Sequence, residues 1–362
     1  MDIDPQNVRR ILVRSTNWVR DALLSTPALA SLRDNFPESH LSVLARKWVT
    51  AIYKDHPAVD EIMVYDVEGR HKGWSGFIRL ASEIRKQQFD LVVLFQYAFG
   101  AALLTWLARI PERIGYNTDG RGLLLNRAVS RRSGDKKIHE VESYQGLIHR
   151  SGLRIIQSRP VFHLNPVAEK LASARLIELG LNDSFLLGLA PGAAYGQAKQ
   201  WPQEKYAKAA QIILEQKGGA ALLFGSQGEA AVTRKLKELL PVPVYDLAGQ
   251  TDLAGVAALI KRCHLFLTND SGLMHVGAAV GTPLVAVFGS TTPVTTGPVT
   301  GQARVIYHPV DCSPCFKRVC DQPSHLCMDL VTVEEVAAAG LELLEKGGEL
   351  GNETQTGRFS GS

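Results

Sequence analysis

Short apolar runs rich in Val, Ile and Leu alternate along the chain with amphipathic stretches of helical length. Uninterrupted apolar runs of four to six residues, set between polar helices, are what strands buried on both faces of a parallel sheet require. In the first half these runs fall at residues 10–15, 41–45, 61–65, 90–95 and 113–116, with helices expected over 22–35 and 74–88. A helix over 166–179 leads to a second series at 185–190, 220–224, 244–247, 265–268 and 284–288. Helices over 203–216, 229–240, 253–261 and 274–279 separate these strands. The pattern predicts an α/β chain of two tandem Rossmann-like domains, residues 1–160 and 161–350, joined near 155–170. Residues 351–362, rich in Gly, Ser and Thr, are expected to form a flexible tail. Ligands of open parallel sheets sit beyond the carboxyl ends of the strands. Two such domains therefore predict a site in a cleft between them, built from the loops that follow strands.

Composition narrows the class. At 45% hydrophobic and 21% charged the chain is too apolar for disorder. Its longest apolar stretches, such as residues 99–107, fall well short of the ~20 residues a spanning helix needs. The first thirty residues are interrupted by charges, so neither a signal peptide nor a transmembrane helix is expected. Four of the five cysteines lie within residues 312–327, which is not a secreted disulfide framework, and a reducing cytoplasm is the expected location. Charge is uneven. Residues 1–165 carry 24 Lys and Arg against 17 Asp and Glu, whereas the remainder carries 16 against 19. A basic first half fits a domain that meets an anionic partner, beside the plainer reading of solvated surface charge. It has neither an aromatic-basic motif nor a reading helix, so a nucleic-acid partner is not expected.

Four loops after strands carry candidate chemistry. The first, RSTNWVRD over residues 14–21, opens a helix, where Asp21 either caps the helix or serves as a general base. The second, PGAAYGQAKQWP over 191–202, has glycines that let backbone approach a ligand and Lys199 as a point charge suited to phosphate, unless it is only a surface loop. The third, TNDSGLMH over 268–275, ends a strand and opens a helix, placing the Ser271 and Gly272 N–H groups as an anion site. Asp270 either caps that helix or meets the ligand, and His275 is either a core histidine or a neighbour of phosphate. The fourth, GSTTP over 289–293, adds hydroxyls, and together the last three suggest a nucleoside-diphosphate pocket. Cys312, Cys315, Cys320 and Cys327, with His325 beside them, have ligand types suited to zinc but spacings unlike paired C-x2-C knuckles, and reduced thiols are the default. No Walker A loop, G-x-G-x-x-G or G-x-S-x-G elbow occurs. The only D-x-D, Asp2 to Asp4, does not follow a strand, so a route without a divalent metal is favoured.

Three stretches taken together, RSTNWVRDALLSTPALASLR (14–33), PGAAYGQAKQWP (191–202) and TNDSGLMHVGAAVGTPLVAVFGSTTP (268–293), resemble glycosyltransferase family 9. The resemblance runs from about residue 9 to 345. DCSPCFKRVC (311–320) and HLCM (325–328) point to its members that act on the lipopolysaccharide inner core. It implies a GT-B architecture with a central cleft and inverting transfer of heptose from ADP-L-glycero-β-D-manno-heptose to an inner-core heptose hydroxyl, with no cofactor. Other family members, including the enzyme of the first heptose step, and a non-catalytic nucleotide-sugar-binding or epimerising protein are the alternatives.

Carried over residue by residue, the resemblance makes Asp21 the base and Lys199 a catalytic phosphate contact. It places donor binding at Gly192, Ala193, Tyr195, Lys199, Ser226, Asp270, Ser271, Gly272 and His275, and acceptor binding at Asn17, Trp18, Arg20 and Arg121. Arg20 stands where the family usually has Gly. Arg46, Lys47, Arg113, Arg131, Arg132, Lys136 and Lys137 are further cations for an acceptor bearing phosphate and carboxylate. Because that acceptor is lipid A-linked, the resemblance implies work at the inner face of the bacterial inner membrane. The 74–88 stretch, with Trp74, Phe77 and Ile78 beside Arg79, Arg85 and Lys86, either rests on anionic lipid or simply covers its sheet.

Overall fold

The alternation closes into two parallel six-stranded sheets, one in each of two units, between which the chain divides after His163. The structure is a computed structural model and describes residues 5–131, 134, 137–156 and 158–353. The first unit runs β1 (Arg10–Arg14), α1 (Val19–Leu24), α2 (Thr26–Asn35), β2 (His40–Ala45), α3 (Ala51–Lys54), β3 (Glu61–Val64), α4 (Gly73–Lys86), β4 (Leu91–Leu94), α5 (Phe99–Leu107), β5 (Glu112–Tyr116), β6 (Arg127–Val129) and α6 (Glu140–Arg150). Its strand order is β3-β2-β1-β4-β5-β6, every pair parallel. The central runs are apolar because both faces are covered: Ile11, Leu12 and Val13 of β1 and all four residues of β4 are buried.

The second unit repeats the plan. It runs α7 (Pro166–Glu178), β7 (Leu186–Ala190), α8 (Gln203–Lys217), β8 (Ala220–Leu223), α9 (Ala230–Leu239), β9 (Val244–Asp246), α10 (Leu253–Arg262) and β10 (Leu265–Asn269). It continues with α11 (Gly272–Val280), β11 (Leu284–Phe288), α12 (Pro293–Thr296), β12 (Ala303–Tyr307), α13 (Leu326–Asp329) and α14 (Val333–Glu353). The order β12-β11-β10-β7-β8-β9 is that of the first sheet in reverse listing. Each sheet therefore reverses strand direction of travel once, between β1 and β4 and between β7 and β10. A doubly wound sheet opens a crevice at that switch point, beyond its carboxyl edge. The loops after β1, β7 and β10 all border one.

The departures from the expected elements have local causes. The helix expected over 22–35 is two, broken at Ser25. Pro27 has no N–H to offer the Leu23 carbonyl, and the Thr26 hydroxyl donates to it instead at 2.8 Å. Five strands were expected in each sheet, and β6 and β12 add a sixth at one edge of each. Helices α5, α6 and α14 are likewise additions, and α5 coincides with the apolar stretch too short to span a membrane. Gly351–Glu353, expected as tail, end α14, and 354–362 lie outside the described residues, as do Asp2 and Asp4. Among the described residues no helix is long and apolar enough to cross a membrane.

Candidate active site

In the first unit Asp21 sits in the first turn of α1, at the β1–β4 switch point. It does not cap the helix. Trp18 occupies the N-cap position without a side-chain bond, and the Asp21 carboxylate instead accepts from Arg20 Nε at 3.0 Å and Arg20 Nη2 at 2.9 Å. Both bonds end on Oδ1. The carboxylate is nearly buried, with Tyr53 of α3 and Tyr144 of α6 in its field. Glu140, at the start of α6, shares that field. Burial first, then the Asp21 charge, raises its carboxyl above the ordinary value, against the pull of Arg20 and Arg131. Tyr97 donates to Glu140 Oε2 at 3.5 Å and lies 3.2 Å from Ser143 Oγ, with the Arg131 guanidinium over its ring. Sequence reasoning did not single out Glu140, which is more than a hundred residues from Asp21.

The four residues carried over as acceptor contacts divide. Asn17 is clamped: its Oδ1 accepts from Arg14 Nη2 at 3.0 Å and from Arg46 Nε at 3.4 Å, and its carbonyl accepts from Trp48 Nε1 at 2.7 Å. Arg14 is fully buried, and burial together with the Arg46 charge lowers it to about 10. Arg46 stacks over Tyr65 at 4.1 Å, so two guanidiniums converge on one amide. Trp18 is exposed and Arg20 is partly so. Arg121 has no exposed surface: its Nε and Nη1 donate to the carbonyls of Tyr116, Gln96 and Ala98 and tie β5 to the loop after β4, while its Nη2 is buried without a partner. Arg113 also binds carbonyls, of Leu124, Ile110 and Pro111. Arg132 and Lys136 lie outside the described residues.

In the second unit the β7–β10 switch point brings two of the predicted loops together. Asn269, the last residue of β10, donates to the carbonyls of Pro191 at 2.8 Å and Gly192 at 3.3 Å, and accepts from Trp201 N at 3.1 Å. One amide thus pins both ends of the loop after β7. Asp270 Oδ2 accepts from Lys199 Nζ at 2.5 Å and from the Thr291 hydroxyl at 2.6 Å, all three buried. Its Oδ1 is buried without a partner, as is the Ser290 hydroxyl. A buried polar atom left unsatisfied costs ~1–3 kcal/mol, which a ligand donor would recover. Helix α11 is capped by Ser271, whose hydroxyl accepts from Met274 N at 3.4 Å, so the capping alternative for Asp270 falls. His275 is buried on that helix.

Ser226 caps a short turn at 227–229 in a reciprocal box with Glu229, and a Cβ on Gly192 would lie 2.2 Å from the Glu229 carboxylate. The Gly192 and Ala193 backbone is therefore packed against Glu229, which no motif had marked. Tyr195 donates to the Phe316 carbonyl at 2.8 Å, beneath Lys199 at 5.0 Å and the Arg318 guanidinium at 5.4 Å from its ring. The cysteine segment lies along this loop: Ala198 N donates to the Arg318 carbonyl at 3.0 Å, and His325 Nε2 is 3.1 Å from the Ala198 carbonyl. All five cysteines are free thiols, and among the described residues no group of three or more His, Cys, Asp and Glu is arranged to hold a metal ion.

Residues 77–325 match the model of glycosyltransferase family 9 (heptosyltransferase). The chain is 32% identical over 317 residues to lipopolysaccharide heptosyltransferase 2 of Salmonella typhimurium, covering 83% of this chain and 90% of that one. It is 29% identical over 307 residues to lipooligosaccharide heptosyltransferase 2 of Haemophilus influenzae, covering 82% and 88%. Among solved structures it is similar to the E. coli ADP-heptose lipopolysaccharide heptosyltransferase II, with TM-score 0.78 and 27% identity over 94% of this chain and 99% of that one. A family 9 glycosyltransferase from Veillonella parvula gives TM-score 0.85 and 26% identity, over 96% and 99%. The fold is GT-B, with two Rossmann-like units in tandem. On its matched residues and its likeness to these relatives, the chain belongs to glycosyltransferase family 9.

Proposed function

We propose that this chain is an inverting heptosyltransferase of the heptosyltransferase II type, moving heptose from ADP-L-glycero-β-D-manno-heptose to a heptose hydroxyl of the lipopolysaccharide inner core. The observation that carries the reading is the 32% identity to a heptosyltransferase 2 over 83% of the chain. The two switch points supply chemistry that suits it. In the transfer the acceptor oxygen attacks the anomeric carbon as the bond to the ADP oxygen breaks, through an oxocarbenium-like transition state. Asp21 Oδ2 takes the hydroxyl proton, while Arg20 holds Oδ1 and fixes the carboxylate's direction. The leaving diphosphate takes the bonding pair. Its charge is met by Lys199 and by the N–H groups of Ser271 and Gly272 at the start of α11, an electrostatic effect worth several kcal/mol. On this reading the Lys199–Asp270 pair keeps a cation in place for the donor, and the transfer proceeds without a divalent ion.

The site assignment places Gly192, Ala193, Tyr195, Ser226, Asp270 and His275 around the donor and Asn17, Trp18 and Arg20 around the acceptor. The enzyme works at the cytoplasmic face of the inner membrane, where its lipid-linked acceptor is presented. The test is transfer from ADP-heptose onto heptosyl-Kdo2-lipid A beside Kdo2-lipid A, with EDTA present. Product only on the heptosylated acceptor, unaffected by EDTA and reduced about 10^3-fold by Asp21→Asn, is the expected result. Product on the unheptosylated acceptor reassigns the chain to the first heptose step. Donor binding without transfer to either overturns the enzymatic reading.

A further inference from the structure

Helices α4 and α5 pack side by side in the first unit, and the short turn at Arg121–Leu124 packs on α5. Each turns its small and aliphatic residues inward: Gly76, Leu80, Ala81 and Ile84 of α4, and Ala101, Ala102, Leu104 and Thr105 of α5. The outward stripes are not polar. On α4, Trp74 is 67% exposed and Ile78, one turn on, 41%, with Phe77 stacked on Trp74 at 5.5 Å. On α5, Phe99 and Trp106 stand exposed two turns apart on one stripe, and Leu123 of the adjoining turn is 98% exposed. Exposed large apolar side chains are ordinary when single, but on adjoining elements they mark a surface that something covers.

The charge around them selects the partner. Residues 70–88 hold five Lys and Arg and a single acid, Glu83. That acid is drawn inward: its carboxylate pairs with Arg70 at 2.6 Å and with the buried His71 at 3.1 Å. Lys72, Arg79, Arg85 and Lys86 remain exposed beside the aromatic stripe. Aromatic rings that seat at the headgroup level, flanked on α4 by these cations, match an anionic bilayer surface rather than a polar protein, and the exposed Asp119 carboxylate beside α5 is occupied by the Phe99 N–H at 2.6 Å. Trp74, Phe99 and Leu123 also follow β3, β4 and β5, so they lie toward the carboxyl edge of the sheet that carries Asp21.

We propose that the outer face of α4, α5 and the 121–124 turn is a docking surface for an anionic lipid bilayer. It rests on the lipid-linked acceptor of the preceding proposal only for its purpose, because the binding itself needs neither donor nor acceptor. Rings inserted at the interface carry the apolar part, and Lys72, Arg79, Arg85 and Lys86 carry the salt-dependent part. The aromatic stripe thereby brings the carboxyl edge of the first sheet to the height at which a membrane-anchored sugar stands.

The test is co-sedimentation of the full chain with phosphatidylcholine vesicles made with and without phosphatidylglycerol. Binding is expected only with the anionic lipid, weakened by salt, and reduced about 10-fold or more in Trp74→Glu with Ile78→Glu and in Arg79→Glu with Lys86→Glu. Far-UV circular dichroism and the unfolding midpoint confirm that the variants fold, and light scattering reports their oligomeric state. Transfer to a delipidated, soluble acceptor should be unchanged in these variants, while transfer to vesicle-embedded acceptor falls. Equal sedimentation of variants and parent, or no preference for anionic lipid, overturns the proposal. A dimer that these substitutions dissociate would assign the face to a second copy of the chain instead. If neither acceptor is glycosylated yet anionic vesicles still bind the chain, the transferase reading fails and the lipid surface stands.

Discussion

Asp21 and Glu140 are two carboxylates from different helices that both feel the Arg20 guanidinium, which is bonded to Asp21 and acts on Glu140 through its charge. Glu140 is the strained member, since burial and the Asp21 charge outweigh the attraction of Arg20 and Arg131 and hold its carboxyl above the ordinary value. A carboxyl raised in the fold favours its protonated form there, so its penalty is absent at low pH and grows as pH rises through the raised value. Glu140→Gln is therefore expected to raise the unfolding midpoint at about pH 8 and to leave it nearly unchanged at about pH 4. Calorimetry at the two values checks this, and a loss of stability at the higher pH would show that Glu140 is held as a needed anion. The sequence marked Asp21 because it lies in a strand-to-helix loop, where carboxylates are either caps or tools. Nothing local marks Glu140. Arg121 is the reverse case, because its charge type is visible in the sequence and its burial against three carbonyls is not.

At the scale of elements, the loop after β7 is held from two sides. Asn269 pins its ends, and the cysteine-bearing segment lies along its middle through Arg318, Phe316 and His325. Gly196 is packed against the backbone of that segment: a Cβ there would stand 2.2 Å from the Arg318 carbonyl oxygen, a backbone atom that cannot rotate away. Gly196→Ala should separate the segments and displace Tyr195 and Lys199 together. A loss of about 10-fold in ADP affinity by titration calorimetry, with circular dichroism unchanged, is expected. Affinity equal to that of the parent would show that the loop conformation does not depend on this contact. Strands in the middle of each sheet were legible because burial on both faces makes them continuously apolar. The edge strands β6 and β12 were not, because RAV and ARVIY carry arginines on a half-covered edge and lack that signature. Likewise the break at Ser25 needed only Pro27, a purely local signal that the amphipathic pattern across 22–35 masked.

At the scale of the whole molecule, two units each with its own sheet and core make all-or-none unfolding a poor description. If the donor site belongs wholly to the second unit, ADP should stabilise that unit alone. A scanning calorimetry trace is expected to resolve into two transitions, of which ADP at about 100 times its Kd stabilises one by ~2.7 kcal/mol. Equal shifts of both would mean that the nucleotide draws on the first unit as well. The basic balance of residues 1–165 belongs to this scale too, because 24 Lys and Arg against 17 Asp and Glu set the field of the whole unit rather than of one group.

By itself the sequence determined the class, the tandem repeat of the strand-helix plan, the loops that carry chemistry and the family resemblance. These are local properties: periodicity, turn chemistry and contiguous motifs survive in one dimension. Only the tertiary structure decided which of those residues meet. Lys199 and Asp270 are 71 residues apart and become an ion pair because β7 and β10 are neighbours across a switch point. Asp21 and Glu140 share a field because α1 packs against α6, and Trp74, Phe99 and Leu123 form one surface because α4 and α5 cover the same stretch of sheet. Strand order sets these encounters, and strand order is a global minimum of burial and pairing that no local window of sequence contains.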